Sequence, residues 1–199
     1  MKKIAAIVEG YGDRDAVPHL INLIGNYYGQ SIIAHNPIRV GEWPKLRRVG
    51  ELERALELAN SRQCDAILIL LDLDDDCAAL EAQTAYGRIE AWKNNRNINV
   101  SVVFLVREYE SLFLSCANVF SDDKAAIKSA IEGAENVRDA KGAIRTLIGR
   151  RYKETQDQVE LTKKLDVEKV IVNSRSFRKL VKELLGKPYA EIFNNGYMP

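Results

Sequence analysis

The chain has 199 residues, of which 46% are hydrophobic, with a formal net charge of +1. That is enough apolar material for one large domain, or for a domain with a small appendage. Three cysteines with no CxxC pair, and only His19 and His35 as histidines, exclude a disulfide framework and a three-histidine zinc centre and point to a reducing, cytoplasmic compartment. Lys2-Lys3 precede only five apolar residues, too short a run for a signal peptide. No apolar run approaches the roughly 18 residues a membrane span needs.

Charge is unevenly spread. Residues 1–137 carry 15 Lys+Arg against 20 Asp+Glu, and residues 138–187 carry 14 against 7. An acidic front and a basic back suit a metal site beside an anionic polymer, and equally suit solvated helix faces.

In chain order, Ile4 to Val8 is a short apolar run that stops at Glu9, followed by Gly10, Gly12 and Asp13. It predicts a buried strand handing over to a helix across a glycine-rich turn. The helix is expected over Ala16 to Tyr28, opened by Asp13-Arg14-Asp15. Ser31 to Ala34 predicts a short strand closed by His35-Asn36-Pro37, and Gly41 to Arg48 a loop with a basic end. Val49 to Ser61 predicts a helix. Asp65 to Leu73, apolar almost throughout, predicts a strand covered on both faces. It runs into Asp72-Leu73-Asp74-Asp75-Asp76.

A helix over Ala78 to Asn94, a polar turn over Asn95 to Asn99 and a strand over Val100 to Val106 follow. The last of these runs into Arg107-Glu108-Tyr109-Glu110. Leu112 to Ala117 predicts a helix. Alternating strands and helices imply an α/β fold with a central, doubly wound parallel sheet, Rossmann-like in arrangement. From Ser121 onward the pattern becomes helical, over 125–131, 137–148, 158–164, 167–172 and 174–185, and Asn194 to Pro199 is expected to be a loose tail unless docked. Residues 1–120 therefore read as an α/β domain, and residues 121–199 as a basic helical extension packed on it.

Three strands of this reading end in carboxylates: Glu9, then Asp72 and Asp74, then Glu108 or Glu110. In a parallel sheet those ends share one edge, where ligands of open α/β sheets bind. Clustered carboxylates raise one another's pKa, and a divalent cation removes that cost. An oxygen-only donor set favours Mg²⁺ or Mn²⁺, which supports phosphoryl transfer or phosphodiester hydrolysis. Asp72 and Asp74, two apart on an extended chain, point the same way. Asp75 and Asp76 suit capping of the next helix, and Asp13 suits either an N-cap or the metal site. Of Glu108 and Glu110, one faces the site; Glu110 is preferred, with Arg107 as a phosphate contact or neutralising partner. Lys45, Arg47, Arg175 and Arg178 are candidate nucleic-acid contacts, set against the default of solvated surface charge. There is no GxxxxGK[ST], no third glycine of a dinucleotide fingerprint and no G-x-S-x-G elbow.

Val8-Glu9-Gly10-Tyr11-Gly12-Asp13 resembles the V-E-G-x-x-D opening of Toprim domains, and Leu71-Asp72-Leu73-Asp74 resembles their D-x-D motif. More narrowly, Arg107 to Ser111, Tyr152 to Thr155 and Ser174 to Phe177 are similar to stand-alone bacterial Toprim-like proteins of a domain-of-unknown-function family, related to OLD-type nucleases and often encoded beside ATPases in defence islands. The resemblance implies Glu9 as general acid/base or metal ligand and Asp72 and Asp74 as Mg²⁺ ligands. It also implies Glu110 and Asp13 at a second metal, and Lys153 stabilising charge on the phosphate. Primase and topoisomerase activities lack their zinc and tyrosine modules here. The expected function is thus a metal-dependent nuclease acting on DNA or structured RNA, controlled by an ATPase partner. The alternatives are a non-catalytic Toprim-like effector and a nucleotide-binding phosphotransferase.

Overall fold

The computed structural model describes residues 1–94 and 96–193. The expected tail at 194–199, and residue 95 of the expected turn, lie outside them. Strand β1 (Lys2–Val8) leads into helix α1 (Tyr11–Tyr27), then β2 (Ile32–Arg39), α2 (Trp43–Leu46), α3 (Glu51–Asn60), β3 (Ala66–Leu73), α4 (Ala78–Lys93) and β4 (Asn99–Val106). Shorter helices follow: α5 (Ser111–Leu114), α6 (Lys124–Gly133), α7 (Ala140–Ile148), α8 (Glu154–Thr162), α9 (Val167–Asn173), α10 (Arg175–Leu185) and α11 (Tyr189–Phe193).

The four strands pair in the order β2-β1-β3-β4, all parallel. This is the expected α/β sheet. Its order reverses direction at β1, so the carboxyl ends of β1 and β3 flank the strand-switch crevice where such folds bind ligands. Val8, the last residue of β1, pairs with Leu70, two residues before Asp72.

Alternation along the strands divides the core. Ile4, Ala6, Val8, Leu68, Leu70, Val103 and Leu105 face α1 and the C-terminal helices. Ala5, Ile7, Ile67, Ile69, Leu71, Val102 and Phe104 face α2, α3 and α4. Both faces are covered, which is why β3 is apolar from Ala66 to Leu71. Phe177, Leu180, Val181 and Leu184 of α10 join the same cluster as α1. The helical region beyond residue 120 therefore shares the core of the sheet.

Two local differences from the sequence expectation have physical causes. β2 runs through His35-Asn36-Pro37 to Arg39, with a register break between Ala5 and Ile7 of its partner. Proline has no N–H for a ladder, but β2 is an edge strand and the break absorbs it. The expected loop at 41–48 contains α2, with Pro44 in its first turn, a position proline tolerates. Trp43 anchors it, buried and stacked edge-on against Phe104 at 5.1 Å.

Candidate active site

Backbone pairing carries each strand's direction past its end. Gly41 N–H donates to the Glu9 carbonyl at 3.1 Å, and Arg107 N–H donates to the Leu73 carbonyl at 2.8 Å. Glu9 and the residues after Leu73 are therefore held at fixed positions on the carboxyl edge. Beyond β4 the chain turns sharply at Arg107, whose φ of 70° is the left-handed region that non-glycine residues rarely adopt. Such strain gathers at functional sites.

These ends open into a cleft of about 270 Å³. Glu9, Asp72 and Asp74 line it together with Arg107. Glu42, beside Trp43, closes one wall, and Glu108 and Lys141 another. With Asp76, carboxylates outnumber cations in the lining six to two, so a negative potential collects there. Burial, then the neighbouring Asp13, Glu42 and Asp74, raises the Glu9 pKa to about 7, against Lys141, which lowers it. Burial, then Asp13, Glu9 and Glu110, raises Asp72 well above the usual carboxylate range.

A second layer lies behind the cleft. Glu110 is 1% exposed and accepts from the Tyr152 hydroxyl at 2.8 Å. Burial raises its pKa to about 7, while Lys141 and Tyr152 hold it down. Asp13 occupies the third position of α1, where it accepts from Gly10 N–H at 2.8 Å and from Gln158 Nε2 at 2.7 Å. Gly10 is the N-cap, so Asp13 supplies the acidic arm of the cap and is not the N-cap itself. Both its oxygens are engaged. Gln158 Oε1 is buried without a partner among the described residues, as is Arg107 Nε.

The DUF4276 family, a domain of unknown function, matches residues 8–185, from the last residue of β1 to the last of α10. The chain belongs to this family. Neither the curated proteins nor the solved structures contain a match to it. The matched segment of this DUF4276 chain spans the cleft and the layer behind it.

Other residues differ in placement from their sequence roles. Glu108, not Glu110, lines the cleft; its carboxylate accepts from Ala140 N–H at 3.1 Å. The left-handed turn at Arg107 sends Glu108 outward, and helical geometry at Glu110 turns its side chain into the core. Asp75 and Asp76 do not cap α4, whose N-cap is Cys77 without a side-chain bond. Asp75 instead accepts from Arg107 at 2.7 Å and lies 3.3 Å from Arg138. Arg107 thus fastens the acidic loop, besides facing the cleft.

Lys153 is exposed and precedes α8, outside the cleft lining. The lysine in the cleft is Lys141 of α7, bonded to Glu154 at 2.9 Å and 3.9 Å from Glu108. Burial opposes its charge, but Glu110, Glu154 and Glu108 outweigh burial and raise its pKa. Among the intended polymer contacts, Arg47 pairs with Glu81 at 3.4 Å. Arg178 donates to the Ile171 and Val172 carbonyls, at the end of α9. Arg175 borders an apolar groove between α4 and α10, and Lys45 is exposed on α2. No helix of the described residues is long and apolar enough to cross a membrane.

Proposed function

We propose that this chain is a Mg²⁺- or Mn²⁺-dependent nuclease of Toprim type, cleaving phosphodiester bonds of DNA or structured RNA. The observation that carries the proposal is the gathering of Glu9, Asp72 and Asp74 in one cleft with Lys141 and Arg107. The donor set fits a hard cation. It is oxygen throughout, and burial, followed by repulsion from neighbouring carboxylates, raises Glu9 and Asp72, a penalty that a cation relieves. Among the described residues no group of three or more His, Cys, Asp or Glu side chains is placed to hold a metal ion. Mg²⁺ needs none, since it commonly takes one or two carboxylates and completes its shell with water and phosphate oxygens.

Asp72 and Asp74 would hold the ion, which when bound supplies Lewis-acid stabilisation of charge on the phosphate. Glu9, with a pKa near 7, is suited to take a proton from an attacking water at neutral pH. The Lys141 ammonium, held charged by three glutamates, offsets charge on the phosphoryl oxygens. Arg107 brings to the cleft lining a guanidinium that stays partly exposed beside its Asp75 pair, a cation for a phosphate to meet. Control by an ATPase partner in bacterial defence rests on the sequence resemblance alone.

Purified protein incubated with plasmid DNA and with tRNA tests this. Cleavage should appear with Mn²⁺, vanish with chelator and vanish in the Asp72→Ala plus Asp74→Ala variant; cleavage that survives those substitutions overturns the assignment. The open arrangement of the acids favours one second reading, a non-catalytic nucleic-acid-binding effector. Binding without turnover under every divalent metal would select it.

A further inference from the structure

An acidic cleft repels a polyanion, so a strand reaching it needs cations along its approach. Such a path lies beside the carboxyl ends of β1 and β2, on residues that the catalytic proposal does not use. Tyr11 opens α1 two residues after Glu9 and is 55% exposed. The Arg39 guanidinium, at the end of β2, lies 4.2 Å from the centre of its ring, and Arg14 lies 5.5 Å from it. Arg14, Arg39 and Arg62 border a depression of about 540 Å³.

These charges are little neutralised. Arg62 donates to the Asn36 carbonyl, and Arg39 rests on an aromatic ring; neither contact cancels charge. Arg14 pairs with Asp15 at 2.9 Å, but both side chains are more than 40% exposed, where ion pairs are weak. Arg39 also borders a second depression with Lys45. The Lys45 side chain lies over Gly41, the residue bonded to the Glu9 carbonyl, and the adjacent Pro44 lines the acidic cleft. The basic path therefore runs from Arg62 past Tyr11 and Arg39 to the lip of the cleft.

We infer that Tyr11, Arg14, Arg39, Arg62 and Lys45 form a docking track for single-stranded nucleic acid that feeds the acidic cleft. Tyr11 stacks one unpaired base, with Arg39 backing the ring and the more distant Arg14 as the neighbour that the base replaces. The arginines and Lys45 take the flanking phosphates. A lone exposed aromatic selects single strands, because a base inside a duplex cannot leave its stack without cost. The track rests on the nuclease proposal for the identity of its polymer, yet it makes a claim that needs no turnover.

The test is fluorescence anisotropy in chelator, with short labelled oligo(dT), short oligo(U) and a duplex of the same length. Wild-type protein should bind a single strand more tightly than the duplex. Tyr11→Ala should weaken that binding about tenfold, as expected for one lost base stack. Tyr11→Phe, which keeps the ring, should bind as wild type. Arg39→Gln and Arg62→Gln should each reduce the slope of log affinity against log salt by about 0.7. The two oligonucleotides report whether the sugar matters, and a Tyr11-dependent loss with either one supports the track. Duplex binding as tight as single-strand binding, or unchanged binding by a folded Tyr11→Ala protein, overturns it. If Tyr11-dependent binding holds while no metal supports cleavage, only the nuclease proposal fails; if cleavage occurs while Tyr11→Ala binds normally, only the track fails.

Discussion

The Tyr152 hydroxyl donates to Glu110 at 2.8 Å, joining the segment before α8 to the chain just beyond β4. After burial, Asp13 and Glu9, Glu110 also raises the pKa of Asp72, so a bond made far along the chain reaches an acid of the cleft. Tyr152→Phe removes this bond and leaves a buried carboxyl oxygen without its donor. Stability should fall by about 1–3 kcal/mol, read from urea denaturation. The Glu110 pKa should also rise, because Tyr152 lowers it. Unchanged stability would show that the bond does not support the site.

The raised acids make the metal-free protein sensitive to pH. Glu9 and Glu110 have pKa values of about 7 in the folded state against 4.5 ordinarily, and Asp72 is raised in the same sense. A carboxyl with a raised folded pKa binds more protons folded than unfolded between the two values, so stability is present below the ordinary pKa and is lost as pH rises through the folded one. Melting temperature without metal should therefore decline between about pH 4.5 and 7. Mg²⁺ should restore it increasingly toward pH 8, since a cation binds the ionised acids. A metal-free melting temperature that climbs across this window would contradict the assigned shifts.

Lys141 and Lys153 divide the sequence view from the structural one. Lys141→Met should reduce cleavage about 100-fold, the usual scale for removing one charge-stabilising group. Lys153→Ala should leave the rate within about twofold, because exposed residues away from the site contribute little. Equal losses in a cleavage assay would return the catalytic role to Lys153.

Gly12 marks a close approach of α1 to α8. A Cβ there would run into Gln158 Oε1 and would come within 2.8 Å of Glu154 Cγ. Gly12→Ala should displace Gln158 from Asp13 and destabilise the fold by about 1–3 kcal/mol, the usual penalty of overpacking. Thermal or urea unfolding measures this, and a neutral outcome would mean that α8 yields freely.

What the sequence reveals and what it hides follow from how far each signal travels along the chain. Ile4 to Val8 and Ala66 to Leu71 are continuous apolar runs, and Glu9 and Asp72 stop them, so the strands and their terminal acids are legible locally. Lys141 is hidden because α7 enters the cleft only through tertiary packing, and in the sequence it reads as one member of a basic set with Arg138, which precedes α7, and Arg145. Glu42 is hidden because Trp43, not a local pattern, folds the α2 segment onto Phe104. The exchange of Glu108 for Glu110 depends on the left-handed backbone at Arg107, which no side-chain pattern announces. Asp13 carries a capping-box signature, but its third-position role and its bond to Gln158 emerge only once α8 lies against α1.

The central claim is that Asp72, with its neighbours, holds a divalent cation in the strand-switch cleft. Calorimetric titration of Mn²⁺ into the protein at pH 8, compared with the Asp72→Asn variant, tests it most directly. Saturable binding in the wild type that the variant loses is the predicted result; equal binding by both, or none by either, would contradict the claim.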